Sequence, residues 1–131
     1  MPADFADSNV VLYALTVGTK AERAWEILKD RPAINVQVLN EVLHVLRLKQ
    51  RLDWQEIEER MSLIRELLPQ HDLTVQVHDV GRAVAARYGF RTYDAMIVAA
   101  ALEAGCERLW SEDMQDGQVI WGRLTIRNPF A

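Results

Sequence analysis

Apolar and polar positions change period repeatedly along this chain, and each change marks the end of one element and the start of the next. The opening DFADSNVV, Asp4 to Val11, predicts a short strand turning into a helix near Asn9, with Asp7 at the turn. Thr19-Lys20-Ala21-Glu22 has capping-box spacing, and Ala24, Trp25, Ile27 and Leu28 give the following helix an apolar face before Pro32 ends the region. Ala33 to Val36 reads as a strand, and Val38 to Leu48 as a helix that turns Val38, Val42, Val45 and Leu46 inward. A second capping box, Asp53-Trp54-Gln55-Glu56, opens a helix running through Ile57, Met61, Ile64 and Leu68 to Pro69, with Glu56, Glu58, Glu59 and Arg60 on its solvated face. Leu73 to Val77 reads as a strand, and His78 or Asp79 opens a helix ending at Tyr88-Gly89.

The stretch from Thr92 to Gly117 organises the rest. Thr92 is placed as an N-cap, Asp94 falls in the first turn at the positive end of the helix dipole, and Ala95 to Ala104 is small or apolar, so this helix is expected to be buried. Gly105 stops it, Cys106 to Trp110 forms a strand, and Ser111, Asp113 and Asp116 follow in a loop. Leu124 to Arg127 makes a last strand. Strands and helices alternate almost throughout, which implies a mainly parallel sheet covered on both faces, a three-layer α/β/α architecture. Right-handed crossovers put the strand carboxyl ends on one edge, where Asp7 and the Ser111–Asp116 loop should meet.

Composition adds limits. With 131 residues, 50% hydrophobic and 26% charged, the chain is expected to form one domain, residues 1–131, with a real core. No apolar run approaches a membrane span and no leader is evident, so a cytoplasmic location is expected. The single Cys106 reads as a structural buried thiol. Net charge is −4, which four acids gathered around a metal would account for entirely, so charge does not exclude a nucleic-acid partner. Glu41 stands beside an apolar stripe, and a glutamate there needs a partner or a ligand. Asp7 has a competing plain role as a helix cap. His44, one turn beyond Glu41, lacks a second histidine at ligand spacing and reads as an ordinary polar residue. Arg47, Lys49 and Arg51 suit the negative end of their helix.

Taken together, FADSNVVLYAL, VQVLNEVLHVL, TYDAMIVAAALEAGCERLWSEDMQDG and LTIRNPF resemble the PIN domain, specifically the toxin ribonucleases of VapBC toxin–antitoxin pairs, in the family's order and over essentially the whole chain. The resemblance implies one metal site built by Asp7, Glu41, Asp94 and Asp113, with Asp116 accessory and with Asn9 and Ser111 orienting the acids or bound water. Ser111 stands where many relatives have threonine; both present a hydroxyl. An all-carboxylate donor set suits Mg²⁺ or Mn²⁺ better than Zn²⁺. The implied activity is hydrolysis of RNA phosphodiesters, leaving 5′-phosphate and 3′-hydroxyl ends. Arg47, Lys49, Arg87 and Arg91 are candidates for a basic RNA-binding rim. A cognate antitoxin, with a helical segment that packs into a hydrophobic groove of this chain that Trp25 could help line, and a homodimer are the implied protein partners. Two other readings stay open: an inactive PIN-fold binding module, and a metal-dependent nuclease acting on DNA or a small phosphate ester.

Overall fold

Phe5 and Ala6 are completely buried, and the strand that carries them lies at the middle of the sheet. In the computed structural model, which describes residues 3–131, the first half of the chain runs β1 (Asp4–Ala6), α1 (Ser8–Leu15), α2 (Ala21–Leu28), β2 (Ile34–Asn35), α3 (Val36–Leu48) and α4 (Trp54–Leu67). The second half runs β3 (Gln70–His71), α5 (Val75–Tyr88), α6 (Thr92–Glu103), β4 (Arg108–Trp110), β5 (Val119–Ile120) and β6 (Leu124–Arg127).

Strand β1 pairs in parallel with β4, β4 in parallel with β6, and β5 closes that edge as an antiparallel strand. On its other side a parallel bridge from Phe5 to Ala33 joins β1 to the parallel pair β2 and β3. The spatial order is therefore β3-β2-β1-β4-β6-β5, a mainly parallel sheet between helical layers. The chain builds β2 and β3 on one side of β1 and then returns to its other side for β4. That reversal opens a crevice beyond the carboxyl ends of β1 and β4, where ligands bind in sheets of this kind.

Helix α6 is buried continuously from Ala95 to Leu102, as its small and apolar composition predicts. It lies tight against α5: a Cβ added to the buried Gly81 would collide with the thioether of Met96. Gly105 takes the left-handed conformation (φ 74°) just past the helix end, which glycine adopts without steric cost.

Several boundaries differ from the expectation. The strand expected over Leu73–Val77 is not formed: the β-branched run led towards β, but the Thr74 side chain accepts a hydrogen bond from the Val77 amide and caps α5 from Val75. Val77, Gly81 and Val84 then supply a buried face at helical spacing, and the strand sits earlier, at Gln70–His71. The strand expected over Ala33–Val36 shrinks to Ile34–Asn35, because the Asn35 side chain caps α3 through the Val38 amide (3.1 Å) and the helix begins at Val36. Thr92 is the first helical residue of α6 and not its cap; Arg91 holds that position without a side-chain capping bond. The Thr19 capping box is likewise absent, since α2 starts at Ala21 behind Lys20 with no side-chain cap. The Asp53–Glu56 box is formed in both directions. Val45 is only partly buried, while Val38, Val42 and Leu46 reach the core.

Candidate active site

The site begins where β1 ends. The Asp7 amide donates to the Trp110 carbonyl (2.9 Å), so the parallel pairing of β1 and β4 extends one residue and brings Asp7 beside Ser111. Asp7 caps α1, accepting from the Ser8 amide at 2.7 Å through Oδ1. Its Oδ2 accepts from the completely buried Ser111 hydroxyl at 2.9 Å and from the Asn9 amide at 3.5 Å. Asn9 also donates to Asp113 Oδ2 (3.1 Å) and accepts from the Glu112 amide (3.2 Å), while the Ser111 hydroxyl accepts from the Asp113 amide (3.2 Å). Asn9 and Ser111 thus tie the end of β1 to the loop after β4.

Asp94 stands in the first turn of α6 and Glu41 in the middle of α3. The buried Gln37 amide, one turn before Glu41, donates to the Tyr93 carbonyl (3.2 Å) and joins the two helices at the level of their acids. The acids raise one another's proton affinity. Burial pushes Asp7, only 4% exposed, up to about 6; the Ser111 and Ser8 hydrogen bonds oppose this, and the charges of Asp94 and Asp113 add to it. Glu41 is pushed up to about 7, first by burial and then by Asp7 and Asp94, with the Ser8 side chain pulling the other way. Asp94 is raised by burial and by Asp113, and lowered by Arg91. Asp7, Glu41, Asp94 and Asp113 therefore act on one another through space, although they come from four separate parts of the chain.

Asp116 is engaged elsewhere. It accepts from Arg127 Nε (3.0 Å) and the Asn128 amide (2.9 Å), and these bonds lower its pKa. Glu112, between Ser111 and Asp113, turns away from the acids: it pairs with Lys20 and accepts from the Tyr13 hydroxyl at 2.6 Å. Lys20 also lies over the Tyr13 and Phe130 rings, at 4.8 and 5.3 Å. This clamp escaped the reading of the chain because its members are spread over α1, the start of α2 and the C-terminal segment. The resemblance sets Asp113 in the site with Asp116 as accessory, but no spacing within the loop indicates that Asp116 turns to Arg127 and Asn128 and Glu112 to Lys20 and Tyr13.

Among the basic candidates, Arg91 acts on Asp94 electrostatically, Arg47 stacks on Trp54 (4.9 Å) and Arg87 on Tyr88 (5.3 Å). Lys49 is exposed at the end of α3. Trp25 is half-buried against the core, and His44 is exposed. Burial raises the Cys106 thiol to about 11, which suits a packing role and not a nucleophile.

The donor set fits a hard divalent cation. Oε1 of Glu41 is buried with no hydrogen-bond partner, a state that carboxylates rarely adopt without a ligand. Among the described residues, no three acidic, histidine or cysteine side chains already converge in metal-ligand geometry. Mg²⁺ keeps several of its waters and binds directly to few carboxylates. Among the described residues, no helix is long and apolar enough to cross a membrane.

Comparison with known proteins bears on this geometry. The family model for the PIN domain matches residues 5–115. No curated protein matches in sequence. Among solved structures, a toxin–antitoxin complex from Klebsiella pneumoniae aligns with a TM-score of 0.72 at 21% identity, covering 96% of this chain and 97% of that one. The VapBC2 complex from Rickettsia felis, bound to a DNA fragment from its promoter, aligns with a TM-score of 0.70 at 15% identity over 95% and 97%. VapC20 from Mycobacterium tuberculosis, a toxin that cleaves the sarcin–ricin loop, aligns with a TM-score of 0.66 at 13% identity over 81% and 86%. At these identities the likeness carries the fold alone.

Proposed function

Since this chain belongs to the PIN-domain family, we propose that it is a metal-dependent endoribonuclease, the VapC-like toxin of a toxin–antitoxin pair. One observation carries the reading: four mutually repelling carboxylates at the switch point of the sheet, one with a buried oxygen that no protein group satisfies. Asp7, Glu41, Asp94 and Asp113 would hold Mg²⁺ or Mn²⁺, with Asn9 and Ser111 as orienting residues. A bound ion of this kind supplies an activated water and positive charge opposite the phosphate.

The chain's own groups prepare the site. Ser111 and Asn9 fix Asp7 Oδ2, so that its carboxylate does not reorient when charge changes nearby. Asn9 holds Asp113 from the other side. Glu41, pushed up to about 7, has a titration range suited to taking a proton from an attacking water. Water as nucleophile requires no pair of catalytic histidines, and with the 3′ oxygen as leaving group, as the family resemblance implies, the P–O3′ bond breaks to give 5′-phosphate and 3′-hydroxyl ends. Asp116, bonded to Arg127 and Asn128, acts as an anchor of its loop in this reading. The solved toxin–antitoxin complexes of the same fold support an antitoxin as inhibitor, and we extend the proposal to a homodimer working in the cytoplasm.

The test is cleavage of single-stranded RNA, single-stranded DNA and a generic phosphodiester at one salt concentration, with Mg²⁺, with Mn²⁺ and with excess EDTA. RNA cleavage should depend on the metal and fall by about 10²-fold or more in Asp94→Asn, which keeps shape and removes charge. Undiminished cleavage in EDTA overturns the mechanism. Absence of both cleavage and a metal-induced rise in melting temperature supports the inactive binding module instead.

A further inference from the structure

Next to Glu41 lies a cleft of about 620 Å³, within the ordinary range of small-molecule sites of about 300–1,000 Å³. It is continuous with the acid cluster: Ser8 and Glu41 line it, and Tyr93, on its wall, immediately precedes Asp94. Its apolar side is made by Val45, Leu73 and Tyr93. Tyr93 is 70% exposed and Leu73 47%. Among the described residues, the Tyr93 ring stacks on no other ring, and its hydroxyl makes no hydrogen bond. Its polar side is made by Gln37, Asn40 and His44, groups that donate and accept.

The cleft has no lysine or arginine in its lining, and its one charged residue is Glu41. Nothing in this lining pairs with a phosphate, and Tyr93 and Leu73 offer exposed apolar surface, so the part of a nucleotide that fits is its uncharged, flat portion. We propose that this cleft takes one unpaired nucleobase of single-stranded RNA, stacked on Tyr93, beside the phosphate held at the acid cluster; the inference rests on the nuclease reading above. Single-stranded RNA is recognised by stacking of splayed bases on aromatic rings and by hydrogen bonds to their edges. Tyr93 supplies the stacking surface, and Asn40 and His44 supply edge contacts that discriminate among bases. A duplex keeps its bases stacked inside and cannot use the cleft.

Binding is measured by fluorescence anisotropy in Mg²⁺, in an Asp113→Asn background that leaves the RNA intact. The probes are four single-stranded homopolymer oligoribonucleotides of about ten nucleotides, within the roughly 4–16 nucleotides that single-strand sites cover, and an RNA duplex of the same length. Tyr93→Ala should weaken binding of at least one homopolymer by roughly 5- to 100-fold, as loss of one base stack does. Tyr93→Phe should keep that binding and the duplex should be unaffected by either change. The loss should persist as salt is raised, because stacking releases no counterions. With all acids restored, Tyr93→Ala should raise KM and largely keep kcat. Binding of all four homopolymers by Tyr93→Ala that is unchanged from the parent protein, an equal loss on the duplex, or no binding by the parent protein overturns the proposal, and the cleft would then be a protein-docking groove. Tyr93-dependent binding of RNA that the unsubstituted protein never cuts sinks the nuclease reading and leaves the base site. Cleavage with a KM indifferent to Tyr93 does the reverse.

Discussion

An aspartate capping a helix stabilises it best as an anion, yet Asp7 caps α1 in a place where burial and two other acids oppose that charge. Its pKa moves from 3.8 to about 6, and that of Glu41 from 4.5 to about 7. Both bind protons more tightly when folded than when unfolded, so the folded state holds more protons between those limits. The metal-free protein should therefore lose the stability due to these groups as pH rises from about 4 to about 7, with the full penalty standing above that window. For Asp7 the shift corresponds to about 3 kcal/mol. Asp7→Asn removes the charge but also one acceptor for Ser8, Asn9 and Ser111, so the expected net gain at pH 8 without metal is smaller, roughly 1–2 kcal/mol. Thermal melts with EDTA from pH 5 to pH 8 check this; a variant less stable than the parent at pH 8 contradicts it. Metal binding must displace the same protons, so Mn²⁺ affinity by calorimetry should rise between pH 5.5 and 7.5, with proton release.

At the scale of elements, the loop after β4 depends on a clamp that carries no chemistry itself. Lys20 and Tyr13 hold the Glu112 side chain while Asn9 accepts from its amide, so the peptide that positions Asp113 is fixed at both ends. Glu112→Ala should leave Asp7 and Asp94 in place but let Asp113 wander; kcat should fall by about tenfold while the melting temperature drops little, since the clamp is half-exposed. Glu112→Gln, which keeps a hydrogen-bond acceptor for Tyr13 and Lys20, should restore much of the activity. The seam between α5 and α6 is tighter. Gly81→Ala sets a helix-propensity gain of about 1 kcal/mol against a small shift of the flexible Met96 thioether, and should be close to neutral. Gly81→Leu cannot be absorbed that way and should cost about 1–3 kcal/mol in chemical denaturation, moving α6 and with it Asp94. The start of α5 shows how a local signal misleads: Leu73, Val75 and Val77 alternate like a strand, but Thr74 caps the chain into a helix whose buried face at Val77, Gly81 and Val84 appears only over a longer window.

For the whole molecule, a net charge of −4 hides an uneven distribution, with acids gathered at the strand ends and Arg91 beside them. If Arg47, Lys49, Arg87 and Arg91 contact phosphates together, RNA affinity should fall steeply with salt, and each arginine-to-alanine change should reduce the slope by about 1. The stacking of Arg47 on Trp54 and Arg87 on Tyr88 gives both an intramolecular role as well, so Arg91→Ala is expected to show the clearest change. A slope that none of the four alters removes the basic rim.

The chain by itself determined the alternation of strands and helices, the burial of α6 and the stop at Gly105, because these follow from residue type and short-range periodicity; the choice of Asp7, Glu41, Asp94 and Asp113 as a set rests on the resemblance to the PIN family. Tertiary structure decided which acids face one another. Asp113 is held near Asp7 by Asn9, whereas Asp116, three residues on, turns to Arg127 and Asn128, and Glu112 to Lys20 and Tyr13. Those partners come from β6, α1 and the start of α2, and no spacing within the loop encodes them. The short strands β3 and β5 were equally hidden, since a two-residue strand has no period to read and is defined only by the neighbour to which it bonds.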